Sequence, residues 1–174
     1  MEGGIKILII NANYYADVSK NLCLGALLEC VKKCNLQIAD YEIDIETKLT
    51  QGITSFCFTN QKNTCKIEVE IINVAGCLEI PLVLTKQASK NKYHGFVAIG
   101  CVIRGQTTHY DTVCSECNGG ITRVAIDKSL AIGNAVLTTE NLDQANTRAR
   151  YWMTHHENKG GFAMRACLDI ISSY

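Results

Sequence analysis

The sequence predicts an α/β domain in three layers, a parallel sheet covered by helices on both faces. Strand-length apolar runs alternate with helical patterns along the chain, and the connections between them are short. In addition, the runs at 5–10 and 95–103 are almost continuously apolar, as strands buried on both faces must be.

Each element has its own warrant. Residues 5–10, Ile-Lys-Ile-Leu-Ile-Ile, form a first strand, followed by a polar turn from Asn11 to Tyr15. Over 18–34 apolar side chains recur at Val18, Leu22, Ala26, Leu27, Cys30, Val31 and Cys34, which is helical spacing. The polar arc of this helix is narrow, so burial by something besides its own domain is expected. Residues 39–64 are the least regular stretch. Tyr41, Ile43 and Ile45 alternate and 53–58 is apolar, which predicts an extended insertion, a hairpin in form. At 66–74, Ile67, Val69 and Ile71 alternate as in a strand, and Ala75-Gly76-Cys77 turns the chain. Pro81, the only proline, marks a helix start, where a missing N–H costs least, and 82–89 continues it. Residues 95–103 are the strongest strand, 112–126 a helix, 131–137 a strand, and 141–152 and 161–171 two closing helices. The order calls for a flavodoxin-like αβα sandwich with a four-stranded parallel sheet. It forms one domain over 1–174, with the insertion at about 39–64 between the first helix and the second core strand.

Composition narrows the function. With 174 residues the chain has the length of one core, and 17 basic against 17 acidic residues leave no net charge to attract a polyanion. Nucleic acid is therefore not expected as a partner. No apolar run is long enough for a membrane span, and the N-terminal run is too short for a signal sequence. The ten cysteines then read as small hydrophobes in a reducing cytoplasm. Neither Cys30 with Cys34 nor Cys114 with Cys117 has the flanks of a redox or zinc motif. No metal is expected.

In open parallel sheets ligands bind beyond the carboxyl ends of the strands, so the strand exits hold the candidate site residues. At the third exit, Arg104-Gly105-Gln106-Thr107-Thr108-His109, a glycine permits a tight backbone. Gln106 and Thr107 offer N–H groups near a helix start, and His109 supplies an acid/base. Arg104 reads equally as a solvated charge or an ion-pair partner. At the second exit Glu79 either accepts hydrogen bonds from polyol hydroxyls or favours the positive end of the next helix. Tyr14 at the first exit offers a flat face to a heteroaromatic ring, or packs in the core. Asn134 to Thr139 form the fourth exit, and Arg148 and Lys159 lie on or after a late helix.

Gly100-Cys101-Val102-Ile103-Arg104-Gly105-Gln106-Thr107-Thr108-His109-Tyr110-Asp111 resembles the central motif of the 6,7-dimethyl-8-ribityllumazine synthases almost residue for residue. Val74-Ala75-Gly76-Cys77-Leu78-Glu79-Ile80-Pro81, Val136-Leu137-Thr138-Thr139-Glu140-Asn141, Gln144-Ala145 through Arg148-Ala149, and Asn158-Lys159-Gly160 are similar to further segments of that family. The resemblance implies a transferase of riboflavin biosynthesis working without cofactor. It would condense 5-amino-6-(D-ribitylamino)uracil with 3,4-dihydroxy-2-butanone 4-phosphate and release phosphate and water.

The same resemblance assigns roles. Tyr14 stacks on the pyrimidine, and Gly76, Cys77, Leu78 and Glu79 hold the ribityl chain. Cys101, Val102 and Ile103 present backbone to the pyrimidine edge, and Gln106 and Thr107 cradle the phosphate. Arg148 pairs with the phosphate, Lys159 lies near it, His109 transfers protons, and Asn134 stands among the substrate-binding positions. It further implies a homopentamer with active sites shared between neighbours. About three extra residues between Arg148 and Lys159 and a short N-terminal arm favour a free pentamer over a sixty-subunit shell. Ala75 and Leu78 replace the family's proline and aromatic, which implies a looser ribityl pocket. The rival readings are a non-catalytic flavin- or lumazine-binding relative and a receiver-like signalling domain. The latter lacks its aspartates, since Asn11 and Asn13 follow the first strand.

Overall fold

A computed structural model describes residues 4–60, 62, 64–150 and 158–173. Its sheet has five strands, β1 (Ile5–Ala12), β2 (Ser55–Thr59), β3 (Lys66–Val74), β4 (Gly95–Ile103) and β5 (Ala131–Thr139), in the order β2-β3-β1-β4-β5. β3, β1, β4 and β5 are parallel, as expected, and β2 adds an antiparallel edge strand. The register pairs Ala12 with Val74 and Ile103 with Thr139, so the parallel strands end together at one edge.

Successive side chains on a strand face opposite ways, and both directions are apolar here. Ile7 and Ile9 of β1 join Val97 and Ile99 of β4 in one core, under α1 (Ala16–Lys33), α5 (Leu142–Ala149) and α6 (Lys159–Ser172). Leu8 and Ile10 join Phe96 and Ala98 in the other, under α3 (Ile80–Ala88) and α4 (His109–Asp127). Among the described residues no helix is long and apolar enough to cross a membrane.

The insertion is more structured than an extended excursion. Residues 42–50 form a helix, α2 (Glu42–Thr50), before β2. Alternation of Tyr41, Ile43 and Ile45 suggested a strand, but burial follows the helical spacing of Tyr41, Ile45 and Leu49, which pack on the α1 side of the sheet. Ile43 is left 77% exposed. Asp44 holds Lys48 at 2.7 Å one turn on. In β2, Phe56 and Phe58 enter the same core while Ser55 and Cys57 face out, so the strand expected near 53–58 is present.

The narrow polar arc of α1 also has a different cause from the one expected. Within its own chain α1 is covered by α2, α5, α6 and the sheet, so no neighbouring subunit is needed to bury it. The approach of α6 is close because glycines line it. A Cβ on Gly160 would stand 1.9 Å from the Leu22 carbonyl oxygen, and one on Gly25 would overlap the Asn158 side chain. Asn158 caps α6 by accepting from the Gly161 N–H at 3.1 Å and donates to the Asn21 carbonyl of α1 at 3.0 Å. The closing helix expected over 141–152 ends at Ala149; its last two positions, and most of the segment between Arg148 and Lys159, lie outside the described residues.

Candidate active site

A cleft of about 430 Å³ opens at the carboxyl edge of the sheet, built from three strand exits. Tyr14 and Tyr15 come from the turn after β1. Their rings meet edge to face with centroids 5.1 Å apart, and Tyr14 is 74% exposed at the mouth. Burial, with Tyr14 and Cys101 adding to it, raises the Tyr15 phenol above its usual range.

From the exit of β3 come Gly76, Cys77, Leu78 and Glu79. A Cβ on Gly76 would lie 3.1 Å from Glu79 Oε2, so the absent side chain leaves the carboxylate room to fold back over the turn. Gly100 serves Cys77 similarly, since its Cβ would stand 2.6 Å from the Cys77 Sγ. Contact with Cys117 and burial hold Cys77 as a neutral thiol, and burial pushes Cys101 up to about 11. The inner wall of the cleft is thus uncharged, lined by Cys77, Cys101, Val102 and Ile103.

The β4 exit supplies the polar mouth: Gly105, Thr107 and His109, with Tyr110 and Val113 beyond. His109 is the first residue of α4, earlier than the helix start expected at 112, and its backbone N–H reaches Thr107 Oγ1 at 3.4 Å. The Thr108 side chain makes no capping hydrogen bond, so the positive end of this 19-residue helix lies uncapped beside the cleft.

Arg104 is committed as an ion-pair partner. It donates to Asp111 at 3.1 and 3.3 Å and to Glu140 at 2.9 Å, and its guanidinium lies 4.0 Å from the Tyr110 ring centre. Its backbone N–H donates to the Thr139 carbonyl, tying the exits of β4 and β5 together.

Ten of the expected residues therefore meet in one cleft: Tyr14, Gly76, Cys77, Leu78, Glu79, Cys101, Val102, Ile103, Thr107 and His109. Gln106, Asn134, Arg148 and Lys159 do not line it. Gln106 is exposed on the loop. Asn134 sits in the middle of β5, paired with Ala98 of β4, and donates to Asn118 Oδ1 of α4 at 2.8 Å. Arg148 on α5 donates to the Gln144 carbonyl, and the ammonium of Lys159 lies 5.4 Å from the Phe162 ring on α6. Sequence reasoning missed Tyr15, Tyr110 and Val113. Only Val113 had a signal, since it follows His109 by one helical turn and so shares its face.

The family model for 6,7-dimethyl-8-ribityllumazine synthase matches residues 35–174. The chain belongs to this family. The 6,7-dimethyl-8-ribityllumazine synthase of Bartonella henselae is 37% identical over 150 residues, which cover 83% of this chain and 91% of that protein. That of Methylibium petroleiphilum is 32% identical over 90% of this chain and 94% of its own, and that of an Azoarcus species 35% identical over 76% and 91%. Glu79 of the second exit and His109 of the third both line the cleft. Leu78 stands 42% exposed at its rim. Among the described residues no group of three or more His, Cys, Asp or Glu is arranged to hold a metal ion.

Proposed function

We propose that the protein is an active 6,7-dimethyl-8-ribityllumazine synthase, joining 5-amino-6-(D-ribitylamino)uracil to 3,4-dihydroxy-2-butanone 4-phosphate with loss of phosphate and water. The observation that carries this reading is the convergence of His109, the uncapped start of α4 and Glu79 on one apolar-walled cleft. The ring system lies against Cys101, Val102 and Ile103 with Tyr14 stacked on it, and Glu79 accepts from the ribityl hydroxyls. The N–H groups of Gln106 and Thr107 hold the phosphate, where helix polarity favours an anion. His109 moves the protons for imine formation, phosphate loss and ring closure. Holding amine and ketone together contributes more, since effective molarity is worth about 7–11 kcal/mol of barrier.

The oligomer is part of this reading. Arg148 and Lys159 sit on helices that contribute nothing to their own chain's cleft, and Tyr14 stands exposed at its mouth. A homopentamer in which a neighbour's Arg148, Lys159 and Asn134 close the site gives all of these residues a role. Arg148 then makes the bidentate contact to phosphate that guanidinium geometry suits. We place the protein in the cytoplasm as one domain; all ten cysteines are free thiols, which suits a reducing compartment. Mixing the purified protein with both substrates tests the reading: the green fluorescence of the lumazine should rise with enzyme concentration, and a rate equal to the uncatalysed mixture would refute it.

A further inference from the structure

Two cysteines stand at the two ends of the insertion. Cys34 follows the last residue of α1, and Cys65 immediately precedes β3. Their sulfurs lie 3.0 Å apart. Neighbouring backbone holds each in place. Cys34 Sγ faces the Phe58 carbonyl at 3.6 Å, and Cys65 Sγ faces the Lys33 carbonyl at 3.7 Å. The hairpin is pinned as well, because Asn60 Oδ1 accepts from the Cys65 N–H at 3.2 Å and the Asn60 N–H donates to the Cys65 carbonyl. Cys34 is fully buried and Cys65 half-buried, so reagents reach the pair through Cys65.

We propose that Cys34 and Cys65 form a reversible covalent modification site, a dithiol that takes a small-molecule disulfide as its oxidant and fastens residues 35–64 to the end of α1. The Cys65 sulfur, as thiolate, attacks one sulfur of the disulfide RSSR. That S–S bond breaks, and one RSH leaves carrying the proton lost from Cys65. Cys34 then gives up its proton and attacks the Cys65 sulfur, and the second RSH leaves with that proton. The protein dithiol loses two electrons and RSSR gains them, and excess RSH reverses both steps. The closure needed is about 1 Å, from the present contact to a bond of about 2.05 Å. Burial and the Cys65 contact push the Cys34 thiol up to about 12, consistent with Cys65 attacking first and Cys34 resolving.

The bond would enclose the whole insertion, α2 and β2 included. It lies at the amino end of β3, whereas the cleft lies at the carboxyl ends of the strands. Oxidation therefore stiffens the insertion and leaves synthesis unchanged. To test this, the intact oligomer is incubated with oxidised glutathione, alkylated, and digested without reduction. The expected product is a peptide pair joining positions 34 and 65, about 2 Da lighter than the two thiols together. Limited proteolysis within 35–64 should slow about tenfold or more, and dithiothreitol should restore the original rate. Cys65→Ser should abolish both effects, while Cys57→Ser should preserve them. Recovery of Cys65 as a stable glutathione adduct, its joining to Cys57, or unchanged proteolysis of the cross-linked protein would each overturn the proposal. Because reduction of the native chain is the internal control, the test stands even if a serine variant folds poorly.

Discussion

At the scale of single residues the proposed site divides into a group assigned to move protons, His109, and groups that hold others still, such as Arg104. Replacing His109 with Ala should lower kcat by about 10²–10⁴ while leaving measurable turnover, because positioning survives the loss of the acid/base. Steady-state kinetics with an unchanged rate would remove the assignment. Arg104 acts differently. Its links to Asp111 and Glu140 brace the loop that begins α4, and no substrate contact is ascribed to it. Arg104→Ala should therefore raise KM for the phosphate substrate more than it lowers kcat. Arg104→Lys should recover only part of the loss, since an ammonium cannot reach both carboxylates with the same fork. Full recovery by Arg104→Lys would show that charge alone matters there. Much of this was legible in the sequence: Gly105 and His109 marked the third exit on chemical grounds. The faces of Tyr15 and Tyr110 were not, because facing a cleft depends on how an element is rotated against its neighbours.

At the scale of elements, the strands were readable because a sheet covered on both sides demands unbroken apolar runs, and β1 and β4 have them. α2 was misread for a related reason. Tyr41, Ile43 and Ile45 satisfy a period of two, and only the packing of Tyr41, Ile45 and Leu49 beside α1 selects the helical period. β2 emerged as a fifth strand because Phe56 and Phe58 extend the core beyond β3. The α1/α6 contact carries the clearest consequence for stability. Gly160→Ala places a methyl against the backbone carbonyl of Leu22, which cannot yield without moving one helix off the other. Overpacking of this kind costs about 1–3 kcal/mol. Gly119→Ala, where a Cβ meets nothing within 4 Å, is the matched control on an exposed helix position. Thermal melts should separate the two variants clearly, and equal midpoints would mean that α6 adjusts freely.

At the scale of the whole molecule, burial of cysteines sets a limit on alkaline stability. Cys23, Cys34 and Cys167 are pushed up to about 12 from an ordinary 9.0, chiefly by burial. Below pH 9 these thiols are protonated whether the chain is folded or not, and their contribution is intact. Between 9 and 12 the unfolded chain loses these protons and the folded chain keeps them, so stability falls as pH rises. The melting midpoint should decline steadily from about pH 9, and a flat midpoint to pH 11 would mean that these thiols are not buried as described.

The arrangement of the site reaches the same scale, because the chain's cleft lacks the arginine and lysine expected at the phosphate. The most direct measurement is activity of mixed oligomers, made by co-expressing His109→Ala chains with Arg148→Ala chains and assayed at low butanone phosphate. If neighbouring chains share each site, random mixing rebuilds intact His109 and Arg148 in roughly a quarter of the sites, and activity rises well above either parent. Activity no greater than the average of the two parents would contradict a site completed by a second chain.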